Sequence, residues 1–202
     1  MIRIASVLLV AGALTSVASA QLFQPNSATA TSEFSASYDI LNTIDGSGLP
    51  VNFTPASVHA TYAVNNHWTT RPGALGNNNA AASFFFTAPV TIGTFHMWNH
   101  LSNGVAADPG YAVTRFDMRL FDSSNNELFA LLNQSAVPNV FTAQSFTFSP
   151  VANVSRIDFR VLANNGSPNY TGLAEVAFES IPSPGALALL GLGGLVATRR
   201  RR

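Results

Sequence analysis

The body of this chain alternates where a helix would need a longer period. In Val113-Thr-Arg-Phe-Asp-Met-Arg-Leu-Phe121, Phe116, Met118 and Leu120 point one way and Arg115, Asp117 and Arg119 the other. Arg156-Ile-Asp-Phe-Arg-Val161 repeats the design, with Ile157, Phe159 and Val161 inward and Arg156, Asp158 and Arg160 outward. A period of two commits the backbone to half-buried strands. If the two are antiparallel neighbours, each Asp sits near the other strand's arginines, an arrangement worth about 0.2 to 1 kcal/mol per pair. The plainer reading is a solvated charged face whose pairs contribute little.

Further strands are expected at Ala82 to Phe86, Thr91 to Trp98, Glu127 to Leu132, Gln144 to Phe148 and Leu173 to Phe178. Turn residues punctuate them, as in Gly76-Asn-Asn-Asn79, Asn103-Gly104, Asp122-Ser-Ser-Asn-Asn126 and Asn164-Asn-Gly166. Many short strands with turn signals and aromatic inner faces imply an all-β fold, an antiparallel β-sandwich. Leu41 to Leu75 is long and irregular, the kind of segment that carries a ligand loop or lies over the sandwich as an insertion.

Both ends read as targeting segments. Residues 1–20 hold Arg3, an apolar run from Ile4 to about Leu14, and Ala18-Ser19-Ala20 before Gln21, the layout of a cleaved signal peptide and of export through the Sec pathway. A buried N-terminal helix would need polar residues on one face, and Ile4 to Ala13 has almost none. Residues 182–202 place prolines at 182 and 184, an apolar run from Gly185 to Ala197 suited to a short helix, and Arg199, Arg200, Arg201 and Arg202. Proline stops the preceding element and the arginines resist leaving the cytoplasm, so the tail would halt in the inner membrane.

The order of proline motif, apolar helix and basic cluster resembles the PEP-CTERM sorting signal of Gram-negative envelope proteins. The resemblance implies that Pro182, Ser183 and Pro184 form the motif read by an exosortase-like sorting enzyme, with transient membrane insertion followed by release to the envelope, outer surface or extracellular matrix. Ser183 stands where the motif has Glu. The other reading is a plain membrane anchor; at about 1.5 Å per residue the run spans only about 20 Å against a hydrocarbon core of about 30 Å.

The region between the signals, residues 21–181, is long enough for one domain with a real core. Its five arginines, Arg71, Arg115, Arg119, Arg156 and Arg160, face all ten of the chain's acids, so the domain carries five net negative charges and no lysine. Such a surface does not neutralise a phosphate backbone, which excludes nucleic acid as a partner. The absence of cysteine excludes a disulfide framework, a thiolate nucleophile and a thiolate zinc site.

In order, Asn42-Thr-Ile-Asp-Gly46, Phe95-His-Met-Trp-Asn99, Tyr111 to Phe121 with Asp122-Ser-Ser124, and Gly172-Leu-Ala-Glu-Val-Ala-Phe178 resemble a galactose-binding-like jelly roll of the discoidin type. The resemblance implies an eight-stranded sandwich that binds glycans through loops at one end, with a structural calcium near the first Asp-Gly loop and the last strand. On that footing Asp45 and Glu175 are its candidate ligands, joined by backbone carbonyls of the 40–47 stretch, which is the all-oxygen set a hard cation wants. Asp45 reads equally as a turn-forming Asp before Gly. Trp68 offers an aromatic plane for a sugar ring, with His67 and Arg71 as hydrogen-bond donors. Trp68 reads equally as a core residue under the long loop.

No Gly-x-Ser-x-Gly elbow, His-Glu-x-x-His zinc helix or phosphate-binding glycine loop is present. His96 and His100 are four apart, a spacing that suits a metal on a helix and not on a strand running into a loop. The expectation is an exported, envelope- or matrix-associated, non-enzymatic protein that binds extracellular polysaccharide. A structural spacer without a ligand site and, more remotely, a glycoside hydrolase built on an unusual acid pair are the alternatives.

Overall fold

A computed structural model describes residues 21–104 and 109–180. Ala18 and Ala20 of the signal cleavage site, the Pro182-Ser183-Pro184 motif and Arg199 to Arg202 lie outside the described residues; Gln21 is the first residue of the first strand. Among the described residues no helix is long and apolar enough to cross a membrane.

The strands are β1 (Gln21–Phe23), β2 (Ser27–Ala30), β3 (Trp68–Thr69), β4 (Ala81–Asn99), β5 (Val113–Phe121), β6 (Glu127–Ser135), β7 (Gln144–Asn164) and β8 (Gly172–Ser180). Short 3-10 turns occupy Ala36–Tyr38, Ile40–Thr43 and Pro109–Tyr111. Hydrogen bonding runs in the order β1-β8-β4-β7-β5-β6, with β2 added to β4 and β3 to β8, and every strand pairing is antiparallel.

Two long strands turn this continuous sheet into a sandwich. Early in its length β4 pairs with β2, and near its end with β8. Strand β7 likewise pairs with β4 along much of its length and with β5 from Arg156 onward. The bends fall at register shifts between Phe85 and Thr94, a stretch containing Pro89, which cannot donate to a ladder. Asn153, at φ +63°, provides the left-handed residue on the facing strand. The sequence reading of separate strands at 82–86 and 91–98, and at 144–148 and 156–161, is corrected accordingly. Each pair is one bent strand, because a bulge bends a strand without ending it.

Rings from the two layers meet in the core. Phe95 of β4 lies 5.8 Å from Phe116 of β5 and 6.0 Å from Phe159 of β7, and Phe178 of β8 lies 5.4 Å from Phe95. The arginine-aspartate strands are neighbours, with Asp117 opposite Arg160 and Arg119 opposite Asp158. The ion pairs form elsewhere, between Arg119 and Glu127 at 2.6 Å and between Arg156 and Asp158 at 3.0 Å.

Strand β8 is buried on both faces from Gly172 to Phe178. One face joins the main core; against the other lies a second cluster of Trp98, Ala174 and Ala177, packed by Leu49 and Phe53 of the irregular segment. Trp98 donates its indole N–H to Ser57 O at 2.9 Å and meets Phe53 edge-on at 5.4 Å. The long loop is therefore a cover over the sandwich. Asn99 closes the end of β4 by bonding both the N–H (2.9 Å) and the C=O (2.7 Å) of Val113.

Candidate functional site

The residues read from the sequence separate into an open groove and a buried polar cluster. Trp68 and Thr69 form β3, opposite Leu173 and Gly172 of β8. A Cβ on Gly172 would come within 2.9 Å of Trp68 O, so only glycine lets the two backbones approach there. Trp68 is fully buried in the main core and donates its indole N–H to Ser32 O at 2.9 Å. It presents no ring face to a ligand, so the core reading of Trp68 holds and its reading as a sugar platform is corrected. His67 is also fully buried, with Nδ1 2.8 Å from Asn66 Oδ1 and Nε2 3.4 Å from the Leu101 N–H. Its reading as a donor to ligand hydroxyls fails for the same reason, since a buried ring already bonded on both nitrogens has nothing to offer outward.

Arg71, three residues beyond Trp68, reaches the surface. Its backbone N–H is fixed by Ser32 Oγ at 3.0 Å, and its Nε donates to Glu33 O at 3.1 Å. One of the five guanidinium N–H donors is thus used to orient the group. The side chain lines a groove of about 510 Å³, walled by Thr31 to Ser35 on one side and by Arg71 to Asn79 on the other. Both walls are tied down. Thr31 Oγ1 donates to Asn79 O at 2.8 Å, Gly73 N to Asn169 O at 2.7 Å, and Asn79 N to Ala74 O at 2.7 Å. Phe34, between two groove residues, is 48 % exposed and lies against Tyr38 and Tyr170 at 6.0 and 5.7 Å.

The groove residues Glu33, Asn77 and Asn79, and the exposed Phe34 beside Glu33, escaped the sequence reading. Gly76-Asn-Asn-Asn79 signals a turn, and nothing in its composition distinguishes a turn that lines a groove from one that does not.

Asp45 and Glu175, far apart in sequence, come to one place. The Gly46 N–H donates to Glu175 Oε1 at 3.2 Å, and Gln24 Nε2 donates to the same oxygen. Glu175 is fully buried, and its Oε2 has no hydrogen-bond partner. The nearest cationic candidate is His59 Nε2, 3.9 Å away and itself without a hydrogen-bond partner, while His59 Nδ1 lies 2.7 Å from Ala60 O. Burial raises the Glu175 carboxyl from its usual 4.5 to about 7, opposed by His59 and the Gly46 N–H and assisted by the charge of Asp45. Asp45 is exposed, and its Oδ1 accepts from Ser47 N at 2.8 Å and Ser47 Oγ at 2.5 Å, so it does form a turn. Among the described residues no three His, Asp or Glu side chains assemble as a metal cluster.

His59 continues into a row of imidazoles packed edge to face, meeting His67 at 5.1 Å, which meets His100 at 5.2 Å. Burial, then the His100 and His59 charges, push His67 down to about 2, so the ring is neutral at physiological pH. His96 sits apart on β4, between Ser145 Oγ (2.8 Å) and Glu179 Oε2 (3.3 Å).

No family model and no curated protein matches the sequence. Solved structures do match. The F5/8 type C domain of a Bacteroides fragilis protein shares 17% identity at a TM-score of 0.54, covering 78% of this chain and 92% of that one. The fold is that of the discoidin-like, F5/8 type C domains. A pectin-binding carbohydrate-binding module superposes at 0.55 with 13% identity, over 80% of this chain and 94% of that one. The C. perfringens family 32 carbohydrate-binding module solved with galactose does so at 0.51 with 13% identity, over 76% and 93%. At these identities the likeness establishes the antiparallel, jelly-roll-type sandwich that the sequence pattern implies.

Proposed function

We propose that residues 21–181 form an exported, non-enzymatic carbohydrate-binding domain whose ligand seat is the Arg71 groove. The observation that carries this reading is the groove itself. It is open and polar, Ser32 fixes the Arg71 backbone and Glu33 O holds its guanidinium, it is lined by Asn77 and Asn79, and the exposed Phe34 stands in the chain between the lining residues Glu33 and Ser35. Fixed planar donors with amide partners suit vicinal hydroxyls, and Phe34 supplies an apolar face for a ring. The carbohydrate-binding modules among the structural neighbours support the same class of ligand. Glu33 is the sole acid lining the groove, whereas glycoside hydrolysis uses two carboxylates.

Calcium belongs to the same proposal. A buried carboxylate oxygen without a partner, next to the Asp45 loop, is what a hard cation would satisfy. Glu175 and Asp45 would hold the ion, and its charge would keep Glu175 ionised and pin the 45–48 turn to β8. The tail would deliver the domain through an exosortase-like enzyme to the envelope or the matrix outside it.

Co-sedimentation of the full-length chain with extracellular polysaccharide, in calcium and in EDTA, tests the reading. Binding in calcium that weakens in EDTA supports both parts, and binding in both supports the groove and removes the ion. Failure to bind in either leaves the sandwich as a structural spacer.

A further inference from the structure

The Arg71 groove does not end at the loops. Ala30 and Thr31 line it and also line a second groove, of about 410 Å³, on the outer face of the sheet. Cross-strand register arranges that face in rows. Thr29 stands opposite Ser83, Ser83 opposite Asp158, and Asp158 opposite Arg119, running from β2 through β4 and β7 to β5. The next row toward the Arg71 groove carries Ala81, Arg160 and Asp117. Residues directly opposite one another share a face, and successive rows are separated by two residues, about 6.8 Å along a strand.

Arg160 joins the two grooves. Its Nη2 donates at 2.8 Å to Asn78 Oδ1, and Asn78 lies between Asn77 and Asn79 of the Arg71 groove. The far end of the face is aromatic. Phe85 and Phe121 flank Arg156, whose guanidinium lies 4.2 Å from the Phe121 ring centre. Hydroxyls, acid and guanidinium groups on opposed positions, and then a ring surface thus follow one another along the face. The two acids and two arginines that line the second groove balance, so the groove carries no net attraction for a polyanion.

We propose that this outer face is a continuation of the ligand seat, and that the domain holds an internal stretch of a hydroxyl-rich polysaccharide chain and not a single terminal sugar. The chain would leave the Arg71 groove over Thr31 and cross Arg160 and Asp117, then Asp158 and Arg119. This inference rests on the carbohydrate-binding reading and adds the length and position of what is bound. Each of these groups is held within the domain, Arg119 by Glu127, Arg160 by Asn78, Asp117 by the Asn133 N–H and Asp158 by Ser83 and Arg156, and the donors and acceptors that remain, at fixed spacing, would read hydroxyls along a chain.

The test is calorimetric titration of the full-length chain with galactose and β-galacto-oligosaccharides of increasing length, and with galacturonic acid and its oligomers, run on the native protein, Arg71→Ala and the double variant Arg119→Gln/Arg160→Gln. The expected result is affinity that rises about ten-fold or more from mono- to hexasaccharide in the native protein, and a double variant that binds all lengths like the monosaccharide at an unchanged melting temperature. Arg71→Ala loses binding at every length. Affinity independent of length, or length dependence that survives in the double variant, overturns the extended seat and leaves the Arg71 groove standing. Native protein that binds no member of either series overturns both.

Discussion

The indole N–H of Trp68 donates to the carbonyl of Ser32 at 2.9 Å, and the hydroxyl of the same serine accepts the backbone N–H of Arg71 at 3.0 Å. The buried tryptophan therefore sets the height of one groove wall, and through it the position of the arginine in the other. A residue with no access to ligand acts on the site from beneath.

Replacing Trp68 by Phe keeps most of the ring volume and removes the donor, leaving Ser32 O unpaired. The expected cost is about 1 to 3 kcal/mol in urea unfolding, together with weakened glycan binding in the protein that remains folded. Trp68→Ala should cost about 3 to 5 kcal/mol through the cavity it opens. Phe at position 68 with native affinity would show that the Ser32 link does not govern the groove.

Glu175 gives stability a pH signature. Its folded value of about 7 stands above the usual 4.5, so without calcium the folded protein holds a proton that the unfolded chain has released. Its contribution is full below about 4.5 and is lost as pH rises through about 7. Glu175→Gln should abolish that decline and leave the calcium-free protein at least as stable at pH 8. Calcium should reverse the trend for native protein alone, raising its melting temperature at pH 8 in calorimetry and leaving the variant unmoved.

His67 works in the opposite sense. Its value of about 2 lies below the usual 6.5, so its contribution is present above about 6.5 and is lost as pH falls toward 2. In the Glu175→Gln background, chemical unfolding from pH 7 to 4 should show a continuous fall in stability. A flat profile would mean that the row of imidazoles accepts charge without penalty.

Gly48 sits at φ +90°, and an added Cβ would overlap the His59 ring. Gly48→Ala should destabilise by about 1 to 3 kcal/mol by combining a disfavoured backbone with overpacking. Thermal unfolding within half a kcal/mol of native would show that the loop yields.

The fold was legible because strand alternation and aromatic inner faces are local signals. Arg115 to Arg119 and Arg156 to Arg160 gave away their strands, whereas their pairing, left conditional by the shared pattern, is settled by the register of Asp117 opposite Arg160. What was illegible depends on contacts distant in sequence. Pro89 and Asn153 look like strand breakers, yet they mark bends in β4 and β7 because both flanks find partners. Trp68 admitted both a core and a ligand role, and His67 a ligand role, because composition cannot distinguish an aromatic below a loop from one above it. Arg71 was legible as a surface charge, whereas Glu33 and Asn77 join it only through the return of β2 beside β4.

The most direct test of the central claim is the affinity of the full-length Arg71→Ala protein for extracellular polysaccharide, measured beside its melting temperature. The account predicts an affinity loss of about ten-fold or more, with stability within about half a kcal/mol of native because the side chain is exposed. Native affinity in a folded Arg71→Ala protein would contradict it and move the ligand seat elsewhere on the sandwich.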